Sequence, residues 1–214
     1  MVAALAAQGL AARGWFALDD GEVAGFRSAL LVGQAGASIW PHVRRWLDSQ
    51  PADVAHPIDQ WASATLNAVA AAFGARAAFP FERPYLPFQR WAVRAEGLRP
   101  SPLGILMHPV YGLWHAYRGA LLFEAETAVE PPAEPVHLCD SCVGKPCLSA
   151  CPVEAWSPGG FNREACMGHL QDVRGYRCMS GGCMARNACP EAVAWRYPPE
   201  VQAHHQAYFR DGRR

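Results

Sequence analysis

Apolar residues recur at helical spacing in "HPIDQWASATLNAVAAAFG" (56 to 74), where Ile58, Trp61, Ala62, Leu66, Val69 and Phe73 share one face. Gly74 follows as a stop, so a helix packed on a core is predicted there. "WFAL" (15 to 18) and "SALLVG" (28 to 33) are short apolar runs bounded by glycine and aspartate, the pattern of buried strands. Ahead of them, "MVAALAAQGLAARGW" reads as a surface helix with Leu5, Leu10 and nearby alanines turned inward. In "ASIWPHVRRWLDSQP", Ser38 is the expected cap, Pro41 falls in the first turn, and Trp40, Val43, Trp46 and Leu47 share a face. Strands are expected at 76 to 79, 104 to 109 and 113 to 126, and a helix at 87 to 97. The alternation predicts a mixed domain of α and β layers over 1 to 127.

A proline-rich stretch, "AVEPPAEPV" (128 to 136), then reads as an extended, stiff connector. Beyond it the chain changes character, because all eight cysteines fall between 139 and 189. A small cysteine-rich domain is expected over 137 to 198, with a helical tail over 199 to 214 that ends in basic residues.

Composition narrows the function. Lys plus Arg and Asp plus Glu each number 19, so no overall basic field favours nucleic acid or an anionic membrane. No run of 18 apolar residues occurs, and a soluble cytoplasmic protein is expected. No glycine-rich nucleotide-binding loop is present.

The first cysteine set is Cys139-x2-Cys142-x4-Cys147-x3-Cys151-Pro152, and the second is Cys166, then Cys178-x4-Cys183-x5-Cys189-Pro190. A bacterial two-cluster ferredoxin run is C-x2-C-x2-C-x3-C-P, in which the fourth thiolate serves the neighbouring cluster. Eight cysteines suffice for two 4Fe-4S clusters with none left over. Structural zinc also takes four cysteines, but usually as two pairs separated by a longer loop. Disulfides would be reduced in the expected compartment. Spacing alone leaves open which cluster each Cys-Pro serves.

The cysteine order resembles the C-terminal two-cluster module of epoxyqueuosine reductases and corrinoid-dependent reductive dehalogenases, with Cys166 in "FNREACMGHL" as the lone helical cysteine. "ERPYLPFQRWAVRAEGL" (82 to 98), "LGILMHPVYGLW" (103 to 114) and "RGALLFE" (118 to 124) are similar to the segments that precede the clusters in epoxyqueuosine reductases. Residues 30 to 61 resemble part of the cobalamin-processing decyanase. The resemblance implies an α+β chain: a nitroreductase-like domain followed by a ferredoxin-like domain with two 4Fe-4S clusters. It further implies that Cys139, Cys142, Cys147 and Cys189 hold one cluster, and Cys151, Cys166, Cys178 and Cys183 the other. The expected function is electron transfer to a corrinoid (cobalamin) or another redox cofactor at the first domain, with a redox protein or corrinoid as partner. A corrinoid-dependent reductase and a zinc-stabilised interaction module are the alternatives. The acidic proton donor of the reductases has no clear counterpart; Glu82 lies nearest.

Other candidates each carry a plainer reading. His108, His115 and His169 are corrinoid or proton-relay candidates, or structural hydrogen-bonders. Arg83, Arg90, Arg94 and Arg118 would meet a cofactor's polar groups, or water. Trp91, Trp114, Trp156 and Trp195 read as core or cluster cover, and His204 and His205 as a stray metal site or a surface helix.

Overall fold

The computed structural model describes residues 1–129, 132, 134–157 and 159–211, and it divides into two compact units. The first comprises Met1–Gly97 and His115–Pro135, the second Leu98–Trp114 and Val136–Arg214. The chain thus passes from one unit to the other at 97/98, 114/115 and 135/136. Residues 98 to 114, which the strand and helix alternation groups with the first domain, belong to the second unit. Positions 130, 131 and 133 of the expected stiff connector, and 212 to 214 of the basic tail, lie outside the described residues.

In chain order the first unit begins with α1 (Val2–Ala6), β1 (Ala11–Ala17), β2 (Ser28–Ala35), α2 (Trp40–Leu47), α3 (Pro57–Ala72), β3 (Arg76–Ala78) and α4 (Phe88–Glu96). Two short strands of the second unit follow, β4 (Arg99–Pro100) and β5 (Leu106–Met107), before β6 (His115–Phe123) returns to the first. The sheet order is β1-β2-β6-β3, antiparallel throughout. β2 lies inside the sheet and is buried on both faces, which is why "SALLVGQ" shows no polar alternation. Leu30 and Val32 join Val43, Trp61, Leu66 and Leu121 in the core beneath α1, α2 and α3. On α4, Trp91 is fully buried with its ring 5.4 Å from Phe16 of β1, so the sheet is covered there too.

Two expectations at the N-terminus need correction. The opening segment is not one helix. α1 ends at Ala6, Gly9 turns the chain at φ +70°, and β1 begins at Ala11. A Cβ on Gly9 would lie 2.2 Å from the Ser38 carbonyl oxygen, so the turn requires glycine. Ser38 does not cap α2 either. Its hydroxyl donates to the Gly9 carbonyl, and Ile39 holds the cap position without a side-chain bond.

The same strand contains a bulge between Ala12 and Gly14. Gly14, at φ +132°, lets the α4 backbone approach so closely that a Cβ would meet the Ala95 carbonyl oxygen at 2.5 Å. Arg13, at the bulge, donates from Nε and Nη2 to the Glu96 carboxylate at 2.9 and 3.1 Å. The Tyr117 hydroxyl donates to the same carboxylate at 2.5 Å, and His115 Nδ1 lies 3.4 Å from the guanidinium. Burial pushes the Glu96 carboxyl up from its ordinary value, against the pull of Arg13 and Tyr117.

A second carboxylate fastens α4 to the loop after β1. Trp91 Nε1 donates to Glu22 Oε1 at 2.9 Å, and Arg94 Nη2 donates to Glu22 Oε1 and Oε2 at 2.6 and 2.7 Å. Burial works against the Glu22 charge, but the Arg94, Trp91 and Asp19 backbone hydrogen bonds outweigh it and hold the carboxyl below its ordinary 4.5. A carboxyl depressed on folding stabilises above the unfolded value, and that contribution is lost as pH falls through the folded value. Stability is therefore expected to drop as pH falls below about 4.5. Glu22→Gln should cost about 1–2 kcal/mol at pH 7 and flatten this acid limb in urea titrations. An unchanged limb in the variant would assign the acid loss to other carboxylates.

The second unit continues through α5 (Leu138–Ser141), α6 (Pro146–Ser149), the hairpin β7 (Trp156–Ser157) and β8 (Gly160–Phe161), α7 (Arg163–Gln171), α8 (Tyr176–Gly181), α9 (Met184–Asn187) and α10 (Pro199–Arg210). Its helices are mostly one or two turns long, too short to be stable without packing. Leu103, Met107 and Leu113 from the inserted segment supply apolar packing beneath Cys147, Ala185 and Cys189. No helix among the described residues is long and apolar enough to cross a membrane.

Candidate metal centres

Each cysteine set starts from local chain geometry. Lys145 takes a left-handed conformation at φ 39° ahead of Pro146, which opens α6 and places Cys147 in its first turn. The Lys145 ammonium folds back and donates to the Cys139 and Cys142 carbonyls at 2.6 and 3.3 Å. The two-residue lengthening of this interval thus forms a loop closed by its own lysine. Asn162 caps α7 by accepting from the Ala165 amide, and that helix carries Cys166.

These elements gather the cysteines into two groups. Cys139, Cys142, Cys147 and Cys189 line one cavity of about 20 Å³, together with Met107, Leu113 and Leu138. Cys151, Cys166, Cys178 and Cys183 line another of about 240 Å³, with Trp156, Phe161 and Phe209 in its wall. All eight cysteines are free. Among the described residues, no three His, Cys, Asp or Glu side chains converge to hold a single metal ion.

Electrostatics couples the members of each group. Burial pushes the Cys139 thiol up to about 11, and Cys189, Cys147 and Cys142 add to the shift. Burial likewise pushes Cys166 up to about 11, reinforced by Cys183, Cys151 and Cys178. Metal binding at either group must therefore displace protons. Backbone amides face the sulfurs: Ala155 N–H donates to Cys151 Sγ at 3.4 Å, and those of Met184 and Glu191 favour the thiolates of Cys178 and Cys189. The donor set, sulfur around apolar walls with amide hydrogen bonds, fits iron-sulfur ligation.

The remaining candidates fall elsewhere. His108 Nδ1 accepts from the Val110 and Tyr111 amides, a turn-forming role. His115 is buried beside Arg13, whereas His169 lines the larger cavity. Arg94 is paired with Glu22, Arg118 donates to Gln34, and Arg83 lies over Tyr85. Glu82 accepts from the Phe79 amide. Trp91 and Trp114 are core, and Trp156 stacks on Phe161 at the larger cavity. Sequence reasoning missed the Arg13, Glu96 and Tyr117 network; the signal was a charged residue beside glycine in "AARGWFA", hidden by the helical reading.

The described geometry defines a mixed α/β protein with a layered sheet unit and a cysteine-rich unit. Its fold is similar to that of epoxyqueuosine reductase from Streptococcus thermophilus, at TM-score 0.54 and 19% identity, covering 85% of this chain and 54% of that one. It is also similar to a C. elegans B12-trafficking protein, CblC, at TM-score 0.52 and 13% identity over 95% of this chain and 91% of that one. A further epoxyqueuosine reductase, solved with a modified tRNA-Tyr stem loop, matches at TM-score 0.50 and 15% identity, covering 84% and 54%. The chain spans about half the length of the epoxyqueuosine reductases it matches. The tRNA belongs to that reductase. No family model and no curated protein matches the sequence.

Proposed function

We propose that the second unit holds two 4Fe-4S clusters, the first on Cys139, Cys142, Cys147 and Cys189 and the second on Cys151, Cys166, Cys178 and Cys183. We propose further that they deliver single electrons to a corrinoid or another redox cofactor served by the first unit. The observation that carries the reading is the sorting of eight cysteines into two cavities of four, with none left over. When bound, each cluster supplies a one-electron couple, with potentials across such clusters spanning about −700 to +450 mV. The chain itself supplies the thiols, the amide donor aimed at Cys151 sulfur, and the aromatic rings of Trp156 and Phe161 in the wall of the larger cavity. Likeness in fold to a B12-trafficking protein supports the corrinoid as acceptor.

An anaerobic absorption and electron paramagnetic resonance spectrum, before and after dithionite, tests the reading, with iron and acid-labile sulfide counted. About eight of each, bleaching on reduction, is expected for two cubanes. Zinc without sulfide would make the cysteines a structural clamp and end the electron-transfer reading. Titration with cobalamin then separates corrinoid delivery from a plain electron carrier, and turnover with added reductant would mark a reductase.

A further inference from the structure

Arg186 stands on α9, three residues after Cys183 and three before Cys189, and lines the larger cavity with Cys151, Cys166, Cys178 and Cys183. Its guanidinium is held in place from several sides. The carbon Cζ lies 4.4 Å from the Trp114 ring centre and 4.7 Å from that of Tyr197, and one terminal nitrogen donates to the Leu113 carbonyl. Nε is buried without a hydrogen-bond partner. Among the described residues no carboxylate forms an ion pair with Arg186. A half-buried cation with no carboxylate beside it keeps part of its charge uncompensated, and ring contacts offset only part of that. The groups able to supply negative charge in that cavity wall are the four cysteines.

We propose that Arg186 is the fixed counter-charge of the second cysteine set, a positioning residue that favours the reduced form of the cluster there and so raises its potential. This rests on the cluster reading above. A cubane bound through four thiolates gains a negative charge on reduction, and a rigid cation in a low-dielectric wall stabilises the more negative state. In the first set the Lys145 ammonium is held by the Cys139 and Cys142 carbonyls, and in the second Arg177 is a further cation that favours the Cys178 thiolate. Arg186 differs in lying over two rings and donating to the Leu113 carbonyl, contacts that fix the position of its charge.

The test is a redox titration followed by electron paramagnetic resonance on the full-length protein carrying Cys142→Ala, in which the second set alone is intact. Arg186→Met should keep iron and sulfide yet shift the one-electron equilibrium at least tenfold toward the oxidised form, about 59 mV. Arg186→Lys should restore most of that shift. A midpoint unchanged in Arg186→Met overturns the proposal. If Arg186→Met fails to load, Arg186→Lys decides: a loaded cluster near the parent potential supports the counter-charge, and a lost or equally displaced one overturns it. Parent protein lacking acid-labile sulfide overturns the cluster reading itself and this assignment with it, an outcome distinct from a loaded cluster whose potential ignores Arg186.

Discussion

Cys142→Ala and Cys189→Ala are expected to remove the same half of the iron, although the two residues lie on opposite sides of the other cysteine group in the chain. Each should lower the content from about eight irons to about four, and the double variant should lose no more than either single one. Cys151→Ala and Cys183→Ala should remove the other half, and Cys142→Ala combined with Cys183→Ala should leave a protein without clusters. The reason is the arrangement of the cavities: Cys139, Cys142 and Cys147 face Cys189, while Cys151 lines the cavity of Cys166, Cys178 and Cys183. Iron and sulfide counts, read beside the resonance signal that survives in each variant, check this. Different surviving signals in Cys142→Ala and Cys189→Ala would refute the grouping.

Arg13→Met should produce the largest loss of stability in the first unit, about 3–5 kcal/mol at pH 7.5, because it strands a buried carboxylate. The side chains of Arg13 and Glu96 are only 2% and 11% exposed. With Arg13 gone, Tyr117 still donates to Glu96, but the attraction and hydrogen bonds by which Arg13 opposed burial are lost. The folded-state value, already raised above 4.5, should climb further. A raised carboxyl binds its proton more tightly in the folded state, so stability is greatest below the unfolded value and declines as pH rises through the folded one. The penalty of Arg13→Met should therefore shrink at pH 5. Urea denaturation at both pH values measures it. A cost below about 1 kcal/mol, or one independent of pH, would mean that water reaches the pair.

The sequence foretold α3 closely, since its apolar positions repeat at 3.6 residues and glycine follows its end. β2 was equally legible as a continuous apolar run, and α4 as a helix closed by Gly97. Three features were not. The opening alanines carry high helix propensity, and only Gly9 and the bulge at Arg13, both explained by distant backbone at Ser38 and Ala95, reveal a helix that stops early. The stretch from 98 to 114 reads as more of the alternating layer domain, because its placement depends on contacts with residues beyond 136 that leave no periodic mark. Arg186 looks like a solvated charge in "CMARNACP"; what singles it out is two rings, one brought from 114 and the other from 197. The cysteine spacing pointed to cluster chemistry but left the grouping open, because tight loops reverse the chain in ways that spacing does not encode.

The excursion of residues 98 to 114 into the second unit also shapes how the chain is made. β6 pairs with both β2 and β3, so the sheet cannot close until residue 123 has left the ribosome. By then the excursion has emerged, while its partners up to Cys189 are still being synthesised at about 5–20 residues per second. For several seconds Leu103, Met107 and Leu113 therefore wait without the Cys147, Ala185 and Cys189 partners that bury them in the finished unit.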